Sequence, residues 1–173
     1  LEMTRDIAAR FNHLYQPILT IPDPIIQDKE NIVPGLDGRK MSKSYGNVIP
    51  LLESEKILKK SVMKIVTNSL EPGEPKDSSD CTIFSLFKNF VDDLEIKSIQ
   101  KAYDDGIAWG EAKEMLFNSI NAELEPIRSR FEELKKDDDY INDLLSDGAK
   151  KARYIAKNKI SQIKEAIGIT KIS

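Results

Sequence analysis

One loop concentrates the residues of this chain that could do chemistry. Residues 34–47 read PGLDGRKMSKSYGN, where the dipeptides Pro34-Gly35 and Asp37-Gly38 predict a bent, mobile backbone. Three cations and two hydroxyls follow within a few positions: Arg39, Lys40, Lys43, Ser42 and Ser44. Two ammonium groups three positions apart can close on one polyanion, and exposed main-chain N–H groups add donors. The residue types therefore predict a phosphate-binding loop.

The alternative for this loop is a solvated basic turn, which is the commoner explanation for an arbitrary run of Lys, Gly and Ser. The loop is not a Walker A loop, because the pattern G-x-x-x-x-G-K-[ST] is absent. No carboxylate cluster in the sequence has the character of a protein-built metal site, so we predict none.

The composition is that of an ordinary globular protein. The chain has 173 residues, 40% of them apolar and 32% charged, and its net charge of −3 does not by itself indicate a nucleic-acid binder. One cysteine, Cys81, excludes an internal disulfide and fits a reducing compartment. No apolar run approaches the length of a membrane span and no secretory signal is visible, so we expect a cytoplasmic protein without a membrane partner.

Helical spacing begins at the first residues. Met3, Ile7, Phe11 and Leu14 predict an amphipathic helix that starts without a cap or an initiator Met, so we interpret the chain as the C-terminal piece of a longer protein. The proline-flanked runs ILTI and PIIQ that follow are each a short strand or simply extended chain.

From about residue 52 the pattern predicts a helical bundle. Ser54, and either Ser79 or Asp80, are predicted N-caps, Gly106 and Gly148 are predicted helix ends, and Pro126 should kink a long helix. The predicted core positions are Ile57, Leu58, Ser61, Val62, Ile65, Val66, Ile83, Leu86, Phe87, Phe90, Leu116, Ile120, Leu124, Ile127, Phe131, Ile155, Ile163 and Ile167.

The exact string of the loop decides between the two interpretations. Lys40 to Ser44 spell KMSKS, the signature of class I aminoacyl-tRNA synthetases, and one specified pentapeptide occurs by chance in roughly one chain of this size in ten thousand. The segments LEMTRDIAARFN, IVTNSLEPGEPKD, YDDGIAWGEAKEMLF and INAELEPIRSRFEEL resemble the bacterial tryptophanyl branch of that family. The resemblance runs from residue 1 to about residue 168.

The resemblance implies a fold that is mainly α in this chain, with two parts. Residues 1–51 would be the C-terminal end of a Rossmann-type α/β catalytic domain that includes the KMSKS loop. Residues 52–173 would be an α-helical, anticodon-binding-type region whose last helix packs back on the catalytic domain. The basic stretch 149–173 suits a phosphate backbone, and a solvated helix face explains it at least as well.

The resemblance also implies an activity: activation of L-tryptophan by ATP with Mg²⁺, then transfer to tRNA(Trp), without a prosthetic group. Lys40 and Lys43 would be catalytic, acting on the leaving pyrophosphate, with Lys43 the more important. The ATP-binding residues would be Lys40, Met41, Ser42, Lys43, Ser44 and, by position, Ile32. The whole protein would be a homodimer, whereas this chain alone would be monomeric and inactive.

The sequence departs from the family at two points. Asn68 stands where Asp is usual, and the HIGH-type motif of class I synthetases is absent, since His13, the only histidine, lies in FNHLYQ and should be a helix-surface residue. Two other functions stay open at this stage. One is a tyrosyl-type synthetase, which normally appends a small RNA-binding domain; the other is a non-catalytic, synthetase-derived module that binds RNA or a protein partner.

Overall fold

The computed structural model describes residues 1–25 and 32–169, and these form helices joined by long connections. Within these described ranges the six α-helices are α1 (Glu2–Leu14), α2 (Glu55–Val62), α3 (Thr82–Phe87), α4 (Asp93–Asp104), α5 (Trp109–Leu134) and α6 (Asp138–Ala166). One 3₁₀ turn, Lys43–Tyr45, lies in the loop. The described ranges contain no strand, so the mainly α prediction is confirmed, and ILTI is irregular chain with a bend at Leu19. PIIQ lies partly outside the described residues.

The chain divides into two compact units. One consists of Leu1–Asp28 with Asp137–Ser173, and the other of Lys29–Lys136. The predicted domain boundary after residue 51 does not coincide with this division into compact units. The division does not test the boundary, which stays a prediction. None of the described helices has the combination of length and apolarity that a membrane crossing requires.

The second unit contains the apolar core, which is built where α5 packs against α2 and α3. Its fully buried side chains include Leu58, Val62, Ile83, Leu116 and Ile120, all predicted from helical periodicity. The predicted core positions also include residues that the structure leaves exposed, however. Ile57, Val66 and Ile127 are 44%, 66% and 53% exposed and so lie outside the buried core.

Helix ends follow the sequence signals only in part. Ser54 is the N-cap residue of α2, but its side chain makes no capping hydrogen bond. The predicted cap of α3 is wrong, since Cys81 precedes that helix. Ser79 instead donates its N–H and its hydroxyl to Asp77, in a local turn that competes with capping.

Gly106 ends α4 as predicted, with φ of 85°. Its position is also sterically closed, because a Cβ at residue 106 would lie 2.4 Å from the carbonyl carbon of Gly73. The N–H of Gly73 donates to the Gly106 carbonyl at 2.8 Å, which joins the connector before α3 to the end of α4.

The predicted helix end at Gly148 is wrong, since α6 runs without a break from Asp138 to Ala166. A glycine inside a helix costs only about 1 kcal/mol relative to Ala, which the good helix formers on either side offset. The inward placement of Ile155 and Ile167 is also wrong, because they are 69% and 38% exposed and α6 has no buried residue. Helix α5 continues through Pro126.

Side-chain hydrogen bonds hold the first unit together. Asn12 donates to the Leu19 carbonyl at 2.7 Å and accepts from its N–H at 2.9 Å, and Lys159 of α6 donates to the Ile18 carbonyl at 2.8 Å. In α1 only Ala8 is buried, whereas Met3 is 75% exposed. His13 is exposed, as predicted.

Candidate functional site

The loop at residues 34–47 is a compact turn closed by main-chain hydrogen bonds. An isolated antiparallel bridge joins Pro34 and Lys40, and the Gly35 N–H donates to the Arg39 carbonyl at 2.7 Å. Gly38 turns the chain with φ of 80°, a backbone angle that glycine adopts without strain. The turn predicted from the two glycine dipeptides is therefore confirmed.

Asn47 lies inside this turn and hydrogen-bonds three other parts of it. Its Oδ1 accepts from the Ser42 N–H at 2.8 Å. Its Nδ2 donates to Asp37 Oδ1 at 2.7 Å and to the Lys40 carbonyl at 3.2 Å. Asn47 is 3% exposed, and both of its amide hydrogens and its oxygen have partners, so burying this polar group carries no unpaired donor.

Gly35 makes room for the Asn47 side chain. A Cβ at residue 35 would lie 2.3 Å from Asn47 Nδ2 and 2.7 Å from the Asn47 carbonyl oxygen. Only a residue without a side chain fits between that amide and the bridge, so the glycine of the Pro-Gly pair serves close packing as well as bending.

Arg39, one of the three loop cations, is already paired. Its Nε donates to Asp37 Oδ2 at 2.8 Å, its Nη2 lies 2.7 Å from the same oxygen, and its guanidinium lies 4.7 Å from the Tyr45 ring centroid. Hydrogen bonds from Asn47 and then from Arg39 lower the pKa of Asp37 to about 2, so the carboxylate stays ionised at neutral pH. The pair is a structural part of the loop.

Lys40 and Lys43 are exposed, as Arg39 is, but they differ from it because neither ammonium group has a hydrogen-bonding or ionic partner within the described parts of the chain. The hydroxyls of Ser42 and Ser44 lie 2.8 Å apart. The 3₁₀ turn Lys43–Tyr45 ends at Gly46, where φ is 64°. Among the described residues, the loop therefore presents two exposed cations without partners, while Asn47 and the Asp37–Arg39 pair organise its backbone.

The loop is attached to the core of its own unit at two apolar side chains. Leu36 and Met41 are partly buried against the core cluster. The Leu36 N–H donates to the Asn47 carbonyl at 2.9 Å, and its carbonyl accepts from Val66 at 3.0 Å. Met41, predicted to bind ATP, thus also anchors the loop. Ile32, the other apolar residue predicted for ATP, precedes the bridge and is 58% exposed.

The described residues contain no group of three or more His, Cys, Asp or Glu side chains that could hold a metal ion. Asp37, the carboxylate within the loop, is occupied by Asn47 and Arg39. A divalent cation at this site would have to arrive on a ligand's phosphates, since the loop offers it no free carboxylate.

Asn47 and the Asp37–Arg39 pair were missed by the prediction from residue types, which considered the loop's cations and hydroxyls. A signal was present, since Asn and Asp in glycine-rich turns commonly hydrogen-bond nearby main-chain groups. Spacing along the chain does not show, however, that one amide reaches three partners up to ten positions away.

Comparison with known proteins places this loop in a family. A family model described as "tRNA synthetases class I (W and Y)" matches residues 1–125. The tryptophan–tRNA ligase of Neisseria meningitidis is 47% identical over 169 residues, which cover 98% of this chain and 50% of that protein. The Pseudomonas aeruginosa ligase is 42% identical over 172 residues, or 98% of this chain and 38% of that protein.

A solved structure agrees with these relatives. The crystal structure of Campylobacter jejuni tryptophanyl-tRNA synthetase complexed with ADP and tryptophan superposes with a TM-score of 0.79 at 39% identity, covering 96% of this chain and 53% of that one. This chain thus spans about half the length of the relatives it matches, or less, and its similarity is to the C-terminal part of the bacterial tryptophanyl enzymes. Its KMSKS loop, its helical fold and the match over residues 1–125 together show that the chain belongs to the class I tRNA synthetase family for tryptophan and tyrosine.

Proposed function

We propose that this chain works as part of a tryptophan–tRNA ligase, which activates L-tryptophan with ATP and transfers it to tRNA(Trp). The observation that carries the proposal is the KMSKS loop itself, in which Lys40 and Lys43 are exposed and without partners in the described residues, whereas Arg39 is paired with Asp37. The loop thus leaves the two signature lysines available to a polyanion.

The proposed chemistry is stabilisation of a leaving group. The tryptophan carboxylate attacks the α-phosphorus of ATP, and negative charge grows on the departing pyrophosphate as the bond to it breaks. A positioned ammonium group then helps the transition state more than the ground state. Lys43 holds this role most directly and Lys40 assists, while Ser42, Ser44, Met41 and Ile32 would bind ATP.

Tryptophan is favoured over tyrosine as the substrate by the relatives. The proteins from Neisseria and Pseudomonas are named tryptophan–tRNA ligases, and the Campylobacter enzyme was solved with tryptophan. No residue within the described ranges is assigned to the indole ring. The amino-acid specificity proposed here therefore depends on the similarity over the whole chain.

Several parts of the proposal concern the whole protein. Mg²⁺ would bind on the ATP phosphates, the enzyme would be a cytoplasmic homodimer, and residues 1–51 would complete its Rossmann-type domain. The helical region 52–173 would bind tRNA, with the basic surface of α6 against phosphates. The structure supports the last point by placing Lys151, Arg153 and Lys157 of α6 at exposed positions.

The test is Lys43→Ala in the full-length synthetase that carries this sequence. The rate of tryptophan-dependent ATP–pyrophosphate exchange should fall by about 100- to 1,000-fold, the usual scale for deleting one preorganised charged donor. The Michaelis constant for tryptophan should stay the same, because the ammonium group acts on the phosphates. Lys43→Arg should restore only part of the rate, since a planar guanidinium does not reproduce a compact point charge.

Lys101→Ala is the matched control, since Lys101 is an exposed lysine of α4 outside the loop. Single-turnover kinetics separate adenylate formation from transfer to tRNA. If Lys43→Ala slows only the transfer step, or if the wild-type enzyme shows no tryptophan-dependent exchange, the proposed role of the loop is wrong.

A further inference from the structure

The loop contains a buried amide whose contacts join the segments before and after the signature lysines. Asn47 follows the KMSKS string by three positions, yet its side chain reaches back to Asp37, Lys40 and Ser42. Two of these contacts are to the main chain on either side of Met41. The path of the backbone between the two lysines is therefore defined by one side chain.

We propose that Asn47 is the positioning residue of this loop, a hydrogen-bonded clamp that sets the main-chain geometry from which Lys40 and Lys43 reach the ligand's phosphates. The inference rests on the proposed function for its catalytic consequence, although the clamp itself is a feature of the structure. Asn47 does not touch the ligand in this proposal. It acts through the backbone of residues 40–42.

The burial of Asn47 favours one closed arrangement of the loop. Asn47 is 3% exposed, and water cannot replace its partners without opening the turn. Buried amides that lose a partner incur a desolvation cost, so the closed arrangement is strongly preferred over arrangements that leave one contact unmade. The exposed side chains of Lys40 and Lys43 have no comparable restraint within the described residues. The Asn47 amide is therefore the group that fixes the backbone between them.

Charge distribution supports the same assignment. Asp37 accepts from Asn47 and also pairs with Arg39, and Arg39 in turn lies over the Tyr45 ring. These contacts engage the loop's carboxylate and its third cation. Asp37 therefore does not compete with the phosphates for Lys40 and Lys43, and Arg39 does not compete with the two lysines for the phosphates. Clamp and ion pair share one carboxylate, which couples the two sides of the turn.

The identity of the residue is constrained at two of the three contacts, because an amide is needed there as a donor. In Asn47→Asp the new carboxylate can still accept from the Ser42 N–H, but it would face Asp37 Oδ1 and the Lys40 carbonyl with no hydrogen to donate. Asn47→Ala removes all three contacts and leaves a space beside Gly35. Both variants should loosen the loop.

The experiment measures tryptophan-dependent adenylate formation in the full-length synthetase for Asn47→Ala, Asn47→Asp, Asp37→Asn and the double variant Asp37→Asn with Asn47→Asp. Each Asn47 variant should slow adenylation by about 10- to 100-fold, the scale for a lost supporting contact behind a reacting group, with the Michaelis constant for tryptophan unchanged. Asp37→Asn alone should cost less, because its amide oxygen can turn towards Asn47.

The double variant carries the decisive result, since it restores a donor opposite a carboxylate and should recover part of the rate lost in Asn47→Asp, whereas the contact with the Lys40 carbonyl stays unmade. A general loss of folding would not be repaired by this exchange of amide and carboxylate. Asn118→Ala, at an exposed amide of α5, is the control and should leave the rate unchanged. Absence of recovery in the double variant would overturn the clamp between Asn47 and Asp37.

A second measurement does not depend on activity. Trypsin should cleave after Arg39, Lys40 and Lys43 faster in Asn47→Ala than in wild type, while cleavage elsewhere and the midpoint of thermal unfolding change little. If the wild-type enzyme lacks adenylation activity, the proposed function fails and proteolysis still tests the clamp. If wild type is active and both Asn47 variants match it in rate and in cleavage, the clamp is wrong and the proposed function stands.

Discussion

At the scale of single residues, this chain uses buried polar groups to organise its connections. Lys76 is the second case after Asn47. It lies in the connector before α3, is 3% exposed, and donates from Nζ to the carbonyls of Glu71 and Glu74, both at 2.9 Å. The same Nζ lies 5.5 Å from the Trp109 ring centroid, within the range of a cation–π contact. The ammonium group thus folds the connector onto the start of α5.

We predict that Lys76→Met lowers the free energy of unfolding by about 1–3 kcal/mol, because the substitution keeps the side-chain length but removes the ammonium donor that the Glu71 and Glu74 carbonyls share. Urea unfolding followed by circular dichroism measures the change. Lys101→Met, at an exposed position of α4, should shift the midpoint far less. Equal effects of the two substitutions would mean that the hydrogen bonds of Lys76 do not stabilise the fold.

At the scale of secondary structure, α6 shows that a helix can continue through a glycine that the sequence predicts to end it. Gly148 has no positive φ, and a Cβ there would meet no atom within 4 Å, so the residue is an ordinary interior position of a 29-residue helix. Gly168, two residues after α6 ends, has φ of 80° and is equally open. The two glycines have the same steric freedom and differ in backbone conformation.

We predict that Gly148→Ala stabilises the chain by about 0.5–1 kcal/mol, since Ala has the higher helix propensity and nothing obstructs its methyl group. Gly168→Ala should instead destabilise by roughly 1 kcal/mol, because it forces a side chain into the left-handed region. Thermal unfolding of both variants beside wild type gives the two signs. A destabilised Gly148→Ala would show that α6 breaks at that residue after all.

At the scale of the whole molecule, the two units differ in how much apolar surface they bury. The unit Lys29–Lys136 holds the contiguous core cluster. In the unit formed by Leu1–Asp28 and Asp137–Ser173, by contrast, helix α1 buries Ala8 alone and α6 buries none of its residues. Met3, Ile7 and Ile155 are 75%, 61% and 69% exposed. Apolar faces of this kind commonly contact another part of a protein.

We predict that the 173-residue chain by itself does not form tryptophanyl adenylate and is monomeric, because the chain spans about half the length of its relatives and holds only one part of the proposed ATP site. Tryptophan-dependent ATP–pyrophosphate exchange with the purified chain tests the first statement, and light scattering at micromolar concentration tests the second. Robust exchange would show that the loop and helical region are sufficient. A stable dimer would show that the subunit contact lies in this chain.

The sequence alone was sufficient to predict the helical class, the KMSKS loop and most of the core. Helical periodicity is local, so Leu58, Ile83, Leu116 and Ile120 could be assigned to the interior without knowing which helix each one meets. The signature string is also local, since five consecutive residues carry it. Gly106 belongs to the same group, because a helix end at a glycine is a local signal, although the close approach of Gly73 to it is not.

Only the tertiary structure decided the rest, for two physical reasons. Some contacts join residues that are distant along the chain, and some helix ends depend on small differences in energy. Asn47 reaches Asp37 across ten positions, and Lys76 contacts Trp109 across a larger separation, so no local pattern reports either contact. The N-cap of α3 and the passage of α6 through Gly148 turned on small competing energies: a side-chain turn at Asp77 in one case, and about 1 kcal/mol of helix propensity in the other. Residue types thus singled out the loop's cations and hydroxyls, whereas the folded loop showed that Arg39 pairs with Asp37 and that Lys40 and Lys43 have no partner in the described residues.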